Sequence, residues 1–578
     1  MADDFQVLGA NDKALFSLVI HRGEGMVLLA MDWKKGKPPD NFVGFGLEYK
    51  EPDGDAFRPV TNRLCFPGSE KEPPEIRGSS LRSPIQKFRW VHFPHNAHKT
   101  GAFTYRVTPV FMDAKNELSY GEPQTAKMVL REETFPDKLN VAFTRGYVSS
   151  QAFIDKFGPA SAFPTLIPGK AKDGIGFKTK HPKAEEALAW MGFEAREAIL
   201  ALLDEAIKDK KAQVGAVGFD MNLPEVIDRL VKLGPRARVI IDNSKEHAEK
   251  EAAENKAEKI LVKSAGRDHV HRQHMGQLEH NKMIVVTGGA KPKAVCGSTN
   301  FSWRGFFVQS NNAVIVSGAK AVAPYLAAFE SYWANDDVKG FAANPPSAKW
   351  ADLGLDGINA KVTFSPHNNA SAQLDGIGKD LAKTSSSLLF SLAFLYQTKG
   401  AIKNAIKAIS KKKDIFVFGI SDKKVGGLDV KTPTGNQPVT FPAALIKKAV
   451  PEPFKSEVAG GAGVKMHHKF LVIDFDKPTA RVYMGSYNFS TTADLKNGEN
   501  LMLFKDRKIA TAYMVEAIRI FDHYQFRVAQ QDAKKRQTKL GLAPPPRNKG
   551  EKPWWDKYYT DQSYINDRKL FARVSPAK

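Results

Sequence analysis

The residues best suited to chemistry in this sequence lie just before and within an apolar run, Phe470 to Ile473. Such a run is typical of a buried strand. Alternate side chains of a strand share a face, so we expect His467 and Lys469 to project together and His468 to point away. An imidazole can attack phosphorus or protonate a leaving oxygen, and an ammonium beside it can bind the phosphate oxygens. The pattern therefore predicts half of a site that cleaves phosphodiesters.

A second short apolar run, Val482 to Met484, is followed by Gly485-Ser486-Tyr487-Asn488 and later by Glu499-Asn500. We expect a neighbouring strand to deliver Ser486 and Asn488 to the same place. A hydroxyl and an amide there would complete a cradle for phosphate.

The same arrangement occurs earlier in the chain. His280-Asn281-Lys282 opens an apolar run, and Gly297-Ser298-Thr299-Asn300 and Asn311-Asn312 follow it. The histidine and the serine are 18 residues apart in the first copy (280 to 298) and 19 in the second (467 to 486). One copy alone could be a strand with solvated polar residues, but two matching copies indicate a duplicated catalytic half.

Composition bounds the class of protein and its partners. The chain has 578 residues, a length typical of three or four domains, and a formal charge of +22. That charge favours a polyanionic partner, either nucleic acid or an anionic phospholipid surface, although a generic basic surface is the alternative.

Two further features bear on location. Cys65 and Cys296 are the only cysteines, which favours a reducing compartment over a disulfide framework. The N-terminus lacks the basic and apolar regions of an export signal, and the longest apolar run, Leu388 to Leu395, is too short to span a bilayer. We expect a cytoplasmic protein without a transmembrane segment, with non-classical delivery to other cells as an alternative.

The order of patterns predicts four regions. Residues 1–135 alternate short apolar runs with turn signals, which indicates an all-β sandwich. Residues 136–345 and 346–531 each alternate strand and helix patterns around one motif, and residues 532–578 form a basic and aromatic tail. The tail could pack on the body, bind a partner or stack on nucleic acid, with packing preferred.

Two segments within these regions allow more than one interpretation. The Gly/Pro-rich insertion Lys423 to Gly463 is either a substrate-facing loop or a surface excursion. His269 and His271 could begin a metal site, but no acidic or cysteine ligand completes a set, so a polar segment that contacts phosphate is preferred.

With both motifs in hand, residues 139 to 530 resemble the phospholipase D superfamily. Its signature is His-x-Lys with four residues to an Asp, followed by Gly-Ser-x-Asn. The second copy fits through Asp474, a structural position in that family, whereas the first copy has Thr287 there. The Gly-Ser-Tyr-Asn-Phe-Ser segment is most similar to nuclease members. Separately, Thr104 to Val110 with Gly121-Glu122-Pro123 weakly resembles the last hairpin of a fibronectin type III domain.

The resemblance implies two fused α/β/α halves that form one bilobal unit. We expect a monomer, because both half-sites lie on one chain. One histidine would form a phosphohistidine while the other protonates the leaving oxygen, without a metal or cofactor. The remaining side chains would bind or orient the phosphate oxygens: Lys282, Lys469, Asn300, Asn488, Ser298 and Ser486.

A difference between the copies suggests roles. Eleven residues after the motif asparagine stands Glu499 in the second copy (488 to 499) and Asn311 in the first (300 to 311). If each backs the histidine of its own copy, the carboxylate favours an imidazolium at His467. This makes His467 the general acid and His280 the nucleophile.

Three functions follow from these residues. The first is a metal-independent nuclease, and the second is a phospholipase D or phosphatidyltransferase. The third is a non-catalytic nucleic-acid-binding scaffold, which Thr287 and the sandwich suggest. The sandwich could also recruit a protein partner.

Overall fold

A computed structural model describes residues 4–94, 96–130, 132–146, 153, 156–158, 162–395, 398, 400–421, 439–442, 466–538 and 540–573. Most of the insertion Lys423 to Gly463 lies outside the described residues, so neither interpretation of it is tested. Among the described residues, none of the helices is both long and apolar enough to cross a bilayer.

The N-terminal region consists of two antiparallel sheets. Its strands are β1 (Gln6–Leu8), β2 (Phe16–Arg22), β3 (Val27–Trp33), β4 (Phe42–Lys50), β5 (Arg58–Pro59), β6 (Arg89–His92), β7 (Ala102–Met112), β8 (Leu118–Tyr120) and β9 (Gln124–Val129). One sheet has the order β1-β2-β3-β6, and the other has the order β5-β4-β7-β8 with β9 also paired to β7. Phe16, Leu29, Phe45 and Tyr105 from the two sheets share one core. The predicted sandwich is therefore confirmed, while the fibronectin resemblance stays a prediction.

The first catalytic half is built on a seven-stranded sheet. Its strands are β10 (Leu139–Phe143), β11 (Gln213–Gly218), β12 (Ala237–Asp242), β13 (Val270–Gln273), β14 (Lys282–Thr287), β15 (Lys293–Gly297) and β16 (Asn312–Ser317). Their order across the sheet is β10-β16-β15-β14-β11-β12-β13. Its helices are Phe163–Leu166, Ala184–Lys208, Pro224–Leu233, Ala253–Ala265 and Ala319–Ala334, followed by Val338–Ala342 and Pro345–Ala348.

The second half repeats this order with one extra edge strand. Its strands are β17 (Ala351–Asp352), β18 (Ala360–Ser365), β19 (Ser387–Leu392), β20 (Phe416–Ser421), β21 (Val439–Pro442), β22 (Lys469–Ile473), β23 (Arg481–Gly485) and β24 (Glu499–Phe504). The sheet order β17-β18-β24-β23-β22-β19-β20-β21 matches the first half strand for strand after β17. Its helices are Leu374–Leu381, Ala401–Ile409, Thr491–Leu495 and Arg507–Lys535. The duplication inferred from the motifs thus extends to the whole sheet.

The charged stretch Glu246 to Lys263 has a composition that predicts a helix. In the structure the helix begins later, at Ala253, and ends at Ala265. Residues before it bind the carboxylate of Asp242 instead: the backbone N–H of Ser244 donates to Asp242 Oδ2 at 2.9 Å, and His247 Nδ1 lies 2.7 Å from the same oxygen. These local bonds compete with the helix.

The two halves and the sandwich share a continuous core. Cys296 Sγ of the first half lies 3.3 Å from Met502 Sδ of the second, and Leu28 of the sandwich belongs to the same apolar cluster. Both cysteines are free thiols. Because such cores are closely packed, this shared core fixes the relative position of the two motif strands.

The C-terminal tail packs on the sandwich, through the helices Lys557–Thr560 and Gln562–Phe571 and the aromatic residues before them. Trp554 Nε1 donates to the carbonyl of Phe42 at 3.0 Å, and the ring of Trp554 stacks on Phe88. The described residues of the tail therefore pack on the body of the protein, as the preferred interpretation expected.

Candidate active site

The two motif histidines face each other across the junction of the halves. His280 lies before β14 and His467 before β22, and both side chains are buried. Their ring centroids are 6.4 Å apart, with the rings inclined at 65°. Since a nucleophile and its target approach to about 3–3.5 Å, this spacing suits one phosphorus atom between two imidazoles.

Each lysine is held by its own motif. Lys469 Nζ donates to the carbonyl of His467 at 2.7 Å, and Lys282 Nζ donates to the carbonyl of His280. His468 points to the opposite face, as predicted, where its Nε2 is 2.9 Å from Glu516 Oε1. The strand alternation thus places two ammonium groups on the face that carries the two catalytic imidazoles.

The partners of the histidines are exchanged relative to the prediction. His280 Nδ1 is 2.8 Å from Glu499 Oε2, so the carboxylate of the second copy backs the histidine of the first. His467 Nδ1 is 2.9 Å from Asn311 Oδ1 and 3.1 Å from the carbonyl of Ser298. The expectation that Glu499 backs His467 and Asn311 backs His280 is therefore wrong.

Two parallel bridges between the halves explain the exchange. Gly498 pairs with Glu279, and Ser310 pairs with Met466. The residue before Glu499 thus lies beside the residue before His280. Likewise, the residue before Asn311 lies beside the residue before His467. Glu499 and Asn311 are therefore delivered across the junction, which spacing within one copy could not reveal.

The motif serines support these backing groups. Ser298 Oγ donates to Asn311 Oδ1 at 2.9 Å. Ser486 Oγ accepts from the backbone N–H of Asn500 at 2.9 Å, and its hydroxyl interacts with Glu499. In the structure both serines are buried behind the histidines, so they orient Asn311 and Glu499.

Both motif asparagines keep polar side-chain atoms unpaired among the residues that the structure describes. Asn300 Nδ2 donates to Asp220 Oδ2 at 2.8 Å. The side-chain oxygens of Asn300 and Asn488 have no hydrogen-bond partner within the described part of the chain. An amide nitrogen carries two donors, so Asn300 retains one for a phosphate oxygen.

Asp474 holds the turn after β22. It has a positive φ of 53°, and its carboxylate accepts from the backbone N–H groups of Ser385, Ser386 and Ser387 at 2.8–3.2 Å. This tethers the end of β22 to the start of β19. Asp474 is thus placed to stabilise the sheet, away from the paired rings.

Thr287 occupies the Asp position of the first copy, and Asp209 supplies a carboxylate near the same strand end. Asp209 precedes β11 and accepts from the backbone N–H of Ala290, which follows β14, at 2.9 Å. Asp209 Oδ1 also accepts from the N–H of Lys211 at 3.0 Å. The end of β14 and the start of β11 are therefore joined from the other side.

The sequence analysis missed a buried network beside His280. His247 lies between two carboxylates: its Nδ1 is 2.7 Å from Asp242 Oδ2 and its Nε2 is 3.2 Å from Asp220 Oδ1. Asp220 and Asp242 each stand where a parallel strand ends, β11 and β12. Polar residues at the carboxyl ends of parallel strands were the available signal.

A phenylalanine lies beside each histidine-lysine pair. The ring of Phe219 is 4.7 Å from that of His280 and 4.8 Å from Lys282 Nζ. Phe394 is 6.4 Å from the His467 ring and 5.6 Å from Lys469 Nζ. Both phenylalanines are partly exposed; Phe219 is the first residue after β11 and Phe394 is the second residue after β19.

The His269–His271 segment does not join the site. β13 is the edge strand of its sheet, and the imidazole of His271 stacks on Trp333 with centroids 3.8 Å apart. The expectation that this segment contacts phosphate is not supported. Elsewhere, Asp220, His247 and Glu254 each place one ligand atom within 4.8 Å of the others, but both nitrogens of His247 already bind carboxylates.

Burial dominates the electrostatics of the site. It lowers the pKa of His280 and His467 well below their usual value, and the nearby lysines lower both further. Burial also lowers the pKa of Lys282 to about 8, against the opposing effect of Glu499 and Asp220. It raises the pKa of Glu499 to about 8, against Lys282. An anion between the lysines would favour the ammonium form of both.

A family described as cardiolipin synthase, PLD-like domain, matches residues 199–333 and 378–521. Each match covers most of one sheet, including its His-x-Lys strand and Gly-Ser-x-Asn loop. The chain belongs to the phospholipase D superfamily. This confirms the resemblance found in the motifs and the predicted fold class of two α/β halves preceded by a β-rich region.

Individual members of the superfamily show how far the similarity extends. A phospholipase D of Rickettsia prowazekii is 44% identical over 48 residues, which are 8% of this chain and 22% of that protein. The chain thus spans about a fifth of the length of this curated relative.

Among solved structures, phosphatidylserine synthase of Haemophilus influenzae is 13% identical, covering 64% of this chain and 92% of its own, with a TM-score of 0.37. A yeast tyrosyl-DNA phosphodiesterase variant is 12% identical, covering 53% and 86%, with a TM-score of 0.30. The Nuc protein of Salmonella typhimurium is 20% identical, covering 30% and 95%, with a TM-score of 0.18.

Proposed function

We propose that the protein is a phosphodiesterase that works through a phosphohistidine, and that its substrate is nucleic acid. The observation that carries this proposal is the pair of buried imidazoles 6.4 Å apart, each with a motif lysine beside it. This geometry allows attack on phosphorus from one side and protonation of the leaving oxygen from the other.

His280 is the proposed nucleophile. Its hydrogen bond to Glu499 keeps the proton on Nδ1 and directs the Nε2 lone pair towards the substrate. Attack forms the Nε2–P bond and leaves a positive charge on the ring, which the carboxylate of Glu499 stabilises. His280 keeps its predicted role, but for a different reason. The group behind it is the carboxylate of Glu499 and not the amide of Asn311.

His467 is the proposed general acid. The P–O bond breaks as Nε2 of His467 gives its proton to the leaving oxygen, which keeps the bonding electron pair. Its Nδ1 faces only neutral acceptors, Asn311 and Ser298, so its imidazolium holds the proton less tightly than one backed by a carboxylate.

The second step reverses the roles. His467 removes a proton from water, the water oxygen attacks phosphorus, and the Nε2–P bond breaks to return the lone pair to His280. Lys282, Lys469, Asn300 and Asn488 are proposed to bind the non-bridging oxygens, whose charge grows in both transition states. These steps need only groups of the chain and water.

Nucleic acid is favoured over lipid by charge and by aromatic residues near the site. The net charge of +22 suits a polyanion. Phe219 and Phe394 each offer a partly exposed ring beside a motif lysine, a combination that suits bases next to a bound phosphate. Lipid remains the second candidate because a basic surface also binds anionic bilayers.

One parallel assay separates the candidates. The protein is incubated in EDTA with plasmid DNA, RNA and anionic phospholipid vesicles, beside the His280→Ala variant. We expect loss of nucleic acid that depends on His280. Release of lipid head groups would replace the nuclease with a phospholipase D, and binding of DNA without turnover would leave a scaffold.

A further inference from the structure

The carboxylate network beside His280 connects separate parts of the nucleophile half. Asp220 Oδ2 accepts from Asn300, the proposed phosphate-binding amide, at 2.8 Å. Asp242 Oδ1 accepts from the backbone N–H of Glu279, the residue before His280, at 2.7 Å. His247 joins the two carboxylates through its two ring nitrogens.

The network is mostly buried, with Asp220 its most exposed member. Asp242 is fully buried and His247 is 9% exposed, with the ring of Phe219 lying 4.6 Å from that of His247 and 4.7 Å from that of His280. Ser244 donates its backbone N–H to Asp242 at 2.9 Å. Hydrogen bonds to ionised groups inside a protein are strong and directional, so they fix the groups they join.

We propose that Asp220, His247 and Asp242 are positioning residues for phosphoryl transfer to His280. Asp220 fixes the rotation of the Asn300 amide, so that its second donor meets a phosphate oxygen. Asp242 fixes the main chain that carries His280, and His247 holds both carboxylates in register. The inference rests on the proposed function. It gives a structural reason why the half-site of His280 differs from that of His467.

The second half supplies a matched control. His367 is also buried and its Nδ1 is 2.9 Å from Asp494 Oδ1, but this pair braces the backbone of its own half: His367 N–H donates to the carbonyl of Asp494 at 2.7 Å. Among the described contacts, neither residue binds a motif lysine, asparagine or histidine. Replacing His367 therefore removes a buried histidine-carboxylate pair of the same kind.

The test compares His247→Gln with His367→Gln on two substrates, a DNA oligonucleotide and bis(4-nitrophenyl) phosphate. The second substrate releases 4-nitrophenolate, which leaves without a proton, so its cleavage reports the nucleophile half. We expect His247→Gln to lower kcat on both substrates by about 10²-fold, with KM changed by less than about threefold. His367→Gln should keep kcat on bis(4-nitrophenyl) phosphate within about threefold.

Two further measurements make the result decisive. Unfolding midpoints should fall by similar amounts in both variants, which separates positioning from stability. Asp220→Asn keeps the shape of the side chain. In a His467→Ala background it should slow formation of the labelled phosphoenzyme by about tenfold. This variant also tests the proposal if His247→Gln does not fold.

The outcomes are distinguishable. If kcat of His247→Gln or the labelling rate of Asp220→Asn stays near that of its parent, or if His367→Gln loses as much, the positioning role is rejected while the proposed function stands. If the unaltered protein cleaves neither substrate, the proposed function fails and the positioning role fails with it.

Discussion

The two catalytic halves share one sheet order but treat their histidines differently. In the first half His280 faces a carboxylate, Glu499, and lies beside a buried network of Asp220, His247 and Asp242. In the second half His467 faces an amide and a carbonyl. A duplicated fold thus places two chemically identical rings in two electrostatic environments, and this difference is the basis of the proposed roles.

The largest effect should come from removing each ring. We expect His280→Ala to lower cleavage of both DNA and bis(4-nitrophenyl) phosphate by about 10⁴-fold or more, because no nucleophile remains. His467→Ala should lose about 10³-fold on DNA, whereas the first release of 4-nitrophenolate from the nitrophenyl ester should slow by less than about tenfold, because that leaving group needs no proton. Later turnovers of the ester should slow more, because His467 also activates the water that hydrolyses the phosphoenzyme. Burst kinetics on the ester and steady-state kinetics on DNA measure this.

The opposite substrate pattern for the two alanine variants would exchange the roles. Trapping the phosphoenzyme in each variant gives an independent control. We expect the label on His280 in His467→Ala, and a label on any other residue contradicts the assignment.

The backing groups should have the next largest effect. Glu499→Gln removes the charge behind His280 and should lower kcat by about 10²-fold, since a hydrogen bond to a charged group contributes about 1.5–3 kcal/mol. Asn311→Ala, which removes only a neutral acceptor behind His467, should cost about tenfold on DNA. Equal losses would mean that the two environments do not differ in function.

An exchange variant sharpens this test. Glu499→Gln with Asn311→Asp moves the carboxylate behind His467, and we expect part of the phosphoenzyme label to move to His467. Asn311 Nδ2 also donates to the carbonyl of Gly305 at 2.9 Å, so Asn311→Asp should lower the unfolding midpoint by placing two oxygens together. The single Asn311→Asp variant controls for that loss.

A pH profile provides a third comparison. Burial lowers the pKa of Lys282 to about 8, so its ammonium is present below pH 8 and is lost above it. We expect kcat/KM to fall more steeply above about pH 8, by up to about a further tenfold per pH unit, in addition to the decline that deprotonation of His467 causes at lower pH. Lys282→Arg should move this limb upwards because guanidinium stays protonated. Lys469→Arg serves as the control from the other half, and an unchanged limb in Lys282→Arg would exclude Lys282 as its source.

The smallest effects on activity should come from the strand-end carboxylates. Asp474→Asn should lower the free energy of unfolding by about 2 kcal/mol, because three backbone N–H groups share its carboxylate. Asp209→Asn should have a smaller effect, since Asp209 is only half-buried and its carboxylate accepts from two backbone N–H groups. Denaturant unfolding measures both, and kcat should change by less than about threefold.

The equivalence of Asp474 and Asp209 can also be challenged. Thr287→Asp restores the motif residue of the first copy, and we expect it to recover stability in the Asp209→Asn background. No recovery would mean that Asp209 does not substitute for the missing motif carboxylate.

Much of the fold could be predicted because the local signals agreed with the tertiary structure. The apolar runs predicted β14 and β22 within a residue or two, and the run Leu388 to Leu395 predicted β19, which ends three residues earlier at Leu392. Strand alternation predicted the shared face of each His-x-Lys pair, and the repeat of the motif predicted that there are two. Domain boundaries at 135, 345 and 531 stay predictions.

The site details that sequence reasoning missed depend on contacts between distant segments. Glu499 and His280 are 219 residues apart, and the bridge that joins them has no local signature. Asp220 and Asp242 each looked like an ordinary acid that follows a strand. Only the sheet shows that β11 and β12 are parallel neighbours, which brings both carboxylates to one histidine.

The crossed backing of the histidines also makes the two halves interdependent. Glu499 belongs to the strand order of the second half but serves the ring of the first, and Asn311 does the reverse. Either half produced as a separate polypeptide would hold a motif whose histidine lacks its hydrogen-bond partner. A defect inherited in one copy of the duplication is therefore expressed at the ring of the other, so the two copies must evolve as a single unit.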